Sequence, residues 1–176
     1  MKVPWAEPFI TEDEVQAVAD VVRSGWISTG PKTREFESLV GSFIGVDHAV
    51  AVSNGTAALD VALAAVGVGP GDEVIVPAMT YIATINSVMY RHATPVFVDI
   101  APDTYNMDPG AARARIPRAT KAILSVGYAG HPQDYDALQA VADEAGVVMV
   151  DDAAQTLGAE YKGKRSGSLA RVSTTS

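Results

Sequence analysis

Apolar and polar positions along this chain change period repeatedly, and the changes mark its elements. Thr11-Glu12-Asp13-Glu14 reads as a helix start. The Thr hydroxyl and the Glu carboxylate can satisfy amides that a first helical turn leaves free. Val15, Val18 and Val22 then recur at helical spacing, and Gly25 can end the helix. After the loop Gly25 to Pro31, a second helix carries Phe36, Leu39, Val40 and Phe43.

Beyond residue 48 short apolar runs alternate with helical patterns. Ala49–Val52, Val74–Val76, Pro95–Asp99, Ala122–Val126 and Val147–Val150 read as strands. Thr56 to Val66, Tyr81 to Arg91, Asp108 to Ile116 and Asp134 to Ala145 read as the intervening helices. Strand following helix throughout predicts an α/β fold, with a mostly parallel sheet and helices on both faces. A further strand begins at Arg171, and the sequence reaches Ser176 inside it without a turn or cap, which reads as a piece of a longer design.

The run Val147-Val148-Met149-Val150-Asp151-Asp152-Ala153-Ala154-Gln155 is the most telling. Four apolar residues in a row suit a strand buried on both faces. A carboxylate past its carboxyl end lies where open α/β sheets bind ligands. Burying Asp152 there is costly without a cationic partner, and the protonated ring nitrogen of a cofactor is one such partner. The plainer alternative is a pair of acids that caps the strand and starts a turn. Ser53-Asn54-Gly55-Thr56-Ala57-Ala58-Leu59 places a glycine turn before a helix, where free amides and the helix dipole suit a phosphate. A helix cap with no ligand has the same look. Tyr81 falls at the same sheet edge, either stacked on a flat ring or packed at a helix start. His131, in Gly130-His131-Pro132, is a weaker candidate for touching substrate.

Two common phosphate fingerprints are missing. There is no Gly-x-x-x-x-Gly-Lys-Ser/Thr, and Gly67, Gly69 and Gly71 follow a helix rather than a strand.

Composition narrows the classes. The 176 residues are 48% apolar and carry a formal charge of −8, which argues against nucleic acid and anionic membrane surfaces as partners. Lys162, Lys164 and Arg165 form the densest basic cluster and read as a solvated hairpin. With no cysteine, disulfides, thiolate zinc sites and a Cys nucleophile are excluded. No apolar run reaches membrane-spanning length and Met1 to Pro8 has no signal-like segment, so the expected compartment is the cytoplasm.

Taken in order, Ser53–Leu59, Pro77-Ala78-Met79-Thr80-Tyr81, Pro95–Asp99 and Asp151-Asp152-Ala153-Ala154-Gln155 resemble the DegT/DnrJ/EryC1/StrS aminotransferases. Gly25-Trp26-Ile27 and Gly30-Pro31 match the amino-terminal region of that family. The resemblance implies the large domain of an aspartate-aminotransferase-like fold and pyridoxal 5'-phosphate (PLP) as cofactor. Residues 1–48 would pack as a helical segment on an incomplete cofactor-binding domain, 49–176, with a small carboxyl-terminal domain absent. It further implies amino transfer, from glutamate, to a nucleotide-diphosphate keto sugar in polysaccharide or glycosylated natural-product synthesis, by a homodimer with shared active sites.

By the same resemblance, Gly55, Thr56 and Ala57 would hold the cofactor phosphate through backbone amides, and Tyr81 would stack on the ring. Asp152 would pair with the ring nitrogen and Gln155 with the ring hydroxyl. Ser176 resembles the serine of the family's Ser-Phe-x-x-x-Lys motif, which also contacts the phosphate. The lysine that forms the Schiff base would then follow Ser176 by five residues, so no catalytic residue is assigned within the chain. Asp151 stands where Glu is commoner, and Ala170-Arg171 where Gly-Asp is commoner. Two alternatives remain open at this point. One is an inactive truncated homologue; the other is a relative that uses pyridoxamine phosphate (PMP) for sugar dehydration and replaces the lysine with histidine.

Overall fold

The structure, a computed structural model, describes residues 7–176; Met1 to Ala6, most of the stretch read for a signal segment, lie outside them. In chain order the elements are α1 (Glu12–Ser24), α2 (Pro31–Ile44), α3 (Gly55–Ala65), β1 (Glu73–Pro77), α4 (Ile82–Tyr90) and β2 (Thr94–Val98). Next come α5 (Pro109–Arg115), β3 (Thr120–Val126), α6 (Tyr135–Ala145) and β4 (Val148–Asp152). The short β5 (Glu160–Tyr161) and β6 (Lys164–Arg165) and the strand β7 (Val172–Thr174) complete the series.

One five-stranded sheet, ordered β2-β1-β3-β4-β7, is parallel throughout. Side chains alternate across it as the strand pleat requires. Val74, Val76, Ala122, Leu124 and Val150 meet Leu59 and Leu63 of α3 and Val88 of α4 on one face. Ile75, Ile123 and Met149 meet Ala112 of α5 and Leu138 and Val141 of α6 on the other. Helices therefore cover both faces, as the alternating pattern predicts. The chain adds β2 on one side of β1 and β3 on the other. Their carboxyl ends thus flank a crevice, the usual ligand position in such sheets.

Ala49–Val52 is not a strand: it forms no ladder, and Val50 is 78% exposed. Its alternation is right for a strand, but no described strand lies beside it, and a strand exists only through its partner's hydrogen bonds. The Ala51 amide donates instead to Glu37 Oε1 at 2.9 Å.

In α1 the predicted capping box is present, with the Thr11 amide donating to Glu14 at 2.6 Å. Gly25 ends the helix at φ 72°. Its apolar stripe of Val15, Val18 and Val22 is exposed. In α2 only Gly41 and Ile44 are buried. The basic cluster is a hairpin: Tyr161 pairs with Lys164 across Lys162 and Gly163, both at positive φ, as a tight turn between twisted strands demands. It is not merely solvated, because Lys162 pairs with Asp136 and Arg165 lies 4.1 Å from the Phe43 ring centre. No helix among the described residues is long and apolar enough to cross a membrane.

Candidate active site

A cavity of about 300 Å³ opens at the carboxyl edge of the sheet. Its walls come from the start of α3, the turn after β1, and the ends of β3, β4 and β7. Of the residues singled out from sequence, Gly55, Thr56, Tyr81, Asp152, Gln155 and Ser176 line it. Ala57 does not; its amide donates to the Asn54 side chain at 2.9 Å, so that donor is already used by the helix cap. His131 is exposed and stands outside the cavity wall.

Asp151 and Asp152 are the last two residues of β4 rather than residues beyond it. Neighbours on a strand face opposite ways, so only Asp152 enters the cavity. It is 6% exposed. Thr84 donates to its Oδ2 at 3.0 Å and the Ala154 amide to its Oδ1 at 3.3 Å. Burial raises its pKa, and the Thr84 hydrogen bond works against that rise. No Lys, Arg or His pairs with it among the described residues. The result is a buried acid that lacks a cation, facing a space large enough to hold one.

The opposite wall is suited to an anion. The first-turn amides of α3 have no partner within the helix, and Asn54 caps only the one at Ala57. Gly55 approaches Ser176 so closely that a Cβ on it would lie 2.8 Å from Ser176 Cβ. Any other residue would push the start of α3 away from Ser176. Tyr81, the N-cap of α4, is 69% exposed beside the opening. Gln155 accepts a 2.7 Å hydrogen bond from the Ala129 amide through Oε1, leaving its Nε2 as the donor end.

Several residues in and behind the wall escape the sequence reading. Thr84, fully buried behind the wall, is the main one, 68 positions from the Asp it supports. Its signal is faint: a hydroxyl in the first turn of the helix that follows β1. Thr80 joins the same string, 2.8 Å from Thr84. Thr174 and Thr175 bring β7 to the wall, with the Ala153 amide donating to the Thr174 carbonyl at 2.8 Å.

The DegT/DnrJ/EryC1/StrS aminotransferase family matches residues 8–176. The chain belongs to this family. A Streptococcus pneumoniae protein assigned as a sugar aminotransferase, solved in PMP and PLP forms, is 41% identical with a TM-score of 0.96; the match covers 100% of this chain and, in the PMP form, 48% of that one. An aminotransferase of Psychrobacter cryohalolentis is 40% identical over 98% of this chain and 44% of its own, with a TM-score of 0.93. A 3-amino-5-hydroxybenzoic acid synthase is 39% identical over 97% of this chain and 45% of its own, also at 0.93. This family member therefore spans about half the length of these solved relatives.

Proposed function

We propose that this chain is the amino-terminal part of a PLP-dependent aminotransferase that passes an amino group, taken from glutamate, to a keto carbon of a nucleotide-diphosphate sugar. The observation that carries the reading is Asp152. A buried carboxylate without a cation faces, across one crevice, the free amides of a helix start. A ligand with a protonated ring nitrogen at one end and a phosphate at the other satisfies both walls.

The residues present fit that cofactor. Gly55 and Thr56 amides and the Ser176 hydroxyl would hold its phosphate. Tyr81 would cover the ring, and Gln155 would donate to the ring hydroxyl. When bound, the cofactor supplies an electron sink for breaking bonds at the carbon that carries nitrogen. Asp152 maintains that capacity by holding the proton on the ring nitrogen. The nearby cation in turn favours the carboxylate form, which burial alone disfavours. Thr84 keeps Asp152 oriented through its 3.0 Å hydrogen bond. The Schiff-base lysine and the small domain would follow Ser176. The exposed stripe of α1 and the apolar residues Phe36 and Leu39 of α2 suit contact with that remainder or with a second subunit of a homodimer. A cytoplasmic enzyme feeding polysaccharide or glycosylated natural-product synthesis is the setting this reading implies.

The test uses the full-length protein. It should bind PLP and become covalently labelled on borohydride reduction. It should also move nitrogen from ¹⁵N-glutamate to a nucleotide-diphosphate keto sugar. Cofactor binding without covalent labelling, together with sugar dehydration, would replace the reading with the PMP-dependent alternative. Absence of binding to either cofactor form would end both.

A further inference from the structure

Asn106 is 4% exposed and lies outside the cavity wall. It sits between β2 and α5 in a loop braced by the antiparallel bridge of Ile100 with Met107. The Ala101 amide also donates to the Asn106 carbonyl at 2.9 Å.

Every end of its carboxamide is engaged. Oδ1 accepts from the Tyr128 amide at 2.8 Å, while Nδ2 donates to the carbonyls of His131 and Pro132, each at 3.1 Å. The partners dictate this orientation, since an N–H must meet oxygen and two carbonyls must meet nitrogen. One buried side chain therefore grips both ends of the turn Tyr128–Gly130.

Within that grip Ala129 adopts φ 51°, ψ 33°. The left-handed region costs an alanine about 1 kcal/mol and persists only where the surroundings hold it. In this conformation the Ala129 amide donates to Gln155 Oε1 at 2.7 Å. Only an oxygen can accept there, so the Gln155 carboxamide cannot flip, and Nε2 is its remaining free end.

We propose that Asn106 is a positioning residue: by clamping the Tyr128–Pro132 turn it holds the Ala129 amide against Gln155 and so fixes Gln155 as a hydrogen-bond donor to the ring hydroxyl of the cofactor. The cofactor end of this inference rests on the function proposed above; the clamp does not.

Both ends can be read in the full-length protein. The probe is PMP, which binds without a covalent bond, so its dissociation constant reports contacts alone. Asn106→Leu should weaken PMP binding roughly 3- to 10-fold, the worth of about one net hydrogen bond. Gln155→Leu should weaken it similarly, and the double variant no further, because the two residues act in series. Amide exchange at Ala129 should accelerate at least tenfold in Asn106→Leu and remain slow in Gln155→Glu, which keeps the accepting oxygen. If Asn106→Leu does not fold, Asn106→Asp replaces it, retaining the Tyr128 contact while losing both donations. Additive losses in the double variant, or unchanged PMP binding in a folded Asn106 variant, overturn the proposal. If the unaltered protein fails to bind PMP, the proposed function falls, and Ala129 exchange alone then decides the clamp.

Discussion

Asp151 and Asp152 are adjacent in sequence, share one strand and are both buried, yet their surroundings differ completely. Asp151 is 0% exposed and receives hydrogen bonds from Gln133 at 2.6 Å and Tyr135 at 2.9 Å. The Tyr135 hydroxyl also lies 3.3 Å from Ser166, next to the β5–β6 hairpin. Asp152 has one hydroxyl, one amide and an open cavity. Burial by itself therefore does not mark a functional acid. The distinguishing property is whether the protein supplies the partners or leaves their place to a ligand. Asp151 is satisfied internally and ties β4 to α6; Asp152 keeps one side open to the cavity.

That contrast predicts opposite consequences for the same substitution. Asp152→Ala in the full-length protein should lower turnover by about 100-fold or more, the scale of losing one partner of a buried charge pair. Its denaturation midpoint should change little. Normal turnover in that variant would remove Asp152 from its assigned role. Asp151→Ala should do the reverse. Stranding the Tyr135 hydroxyl and Gln133 amide should cost about 2–4 kcal/mol in equilibrium unfolding, and cofactor affinity should barely move.

A finer cut spares both acids. Thr84→Val keeps the packing behind Asp152 and deletes one donor to it. PLP binding should weaken about 3- to 10-fold, as measured by spectroscopic titration. An unchanged affinity would mean that the Ala154 amide alone suffices to orient the carboxylate.

The smallest expected effect is a pH slope. Burial raises the pKa of Asp151 from 3.8 to about 6, against the hydrogen bonds from Tyr135 and Gln133, which lower it. A folded-state value above the unfolded one means that the native protein binds the extra proton. The associated stability is complete below pH 3.8 and is lost as pH rises through 6. Asp151→Asn cannot titrate. The melting temperature of the unaltered protein relative to Asp151→Asn should therefore fall between pH 4 and pH 7. A constant difference would show that the carboxyl stays ionised throughout.

Much of this architecture is legible in sequence because local pattern and tertiary role coincide. The apolar runs at Val74–Val76, Ala122–Val126 and Val147–Val150 are short enough to read as strands covered on both faces, and their helices follow at regular intervals. Asp152 stands out because an acid at the end of such a run needs an explanation. Ala49–Val52 fails for the converse reason: its pattern is local, but a strand requires a neighbour. Thr84 and Asn106 are hidden for another reason. A threonine in a helix or an asparagine in a loop looks ordinary until the fold brings it against residues 68 and 25 positions away. Ala57 shows the limit of motif reading, since the sequence that exposes helix amides also contains the Asn54 that consumes one.

The close approach of Gly55 to Ser176 has a consequence for how the molecule acquires its shape. Every described strand lies between the two residues. The crevice is not complete until Ser176 has met Gly55, a contact that closes a loop containing every described strand. Loop closure over such a span is entropically late and slow. The β1–β3–β4 core is accordingly expected to acquire exchange protection first, and the crevice between Gly55 and Ser176 to be among the last surfaces formed when the chain folds.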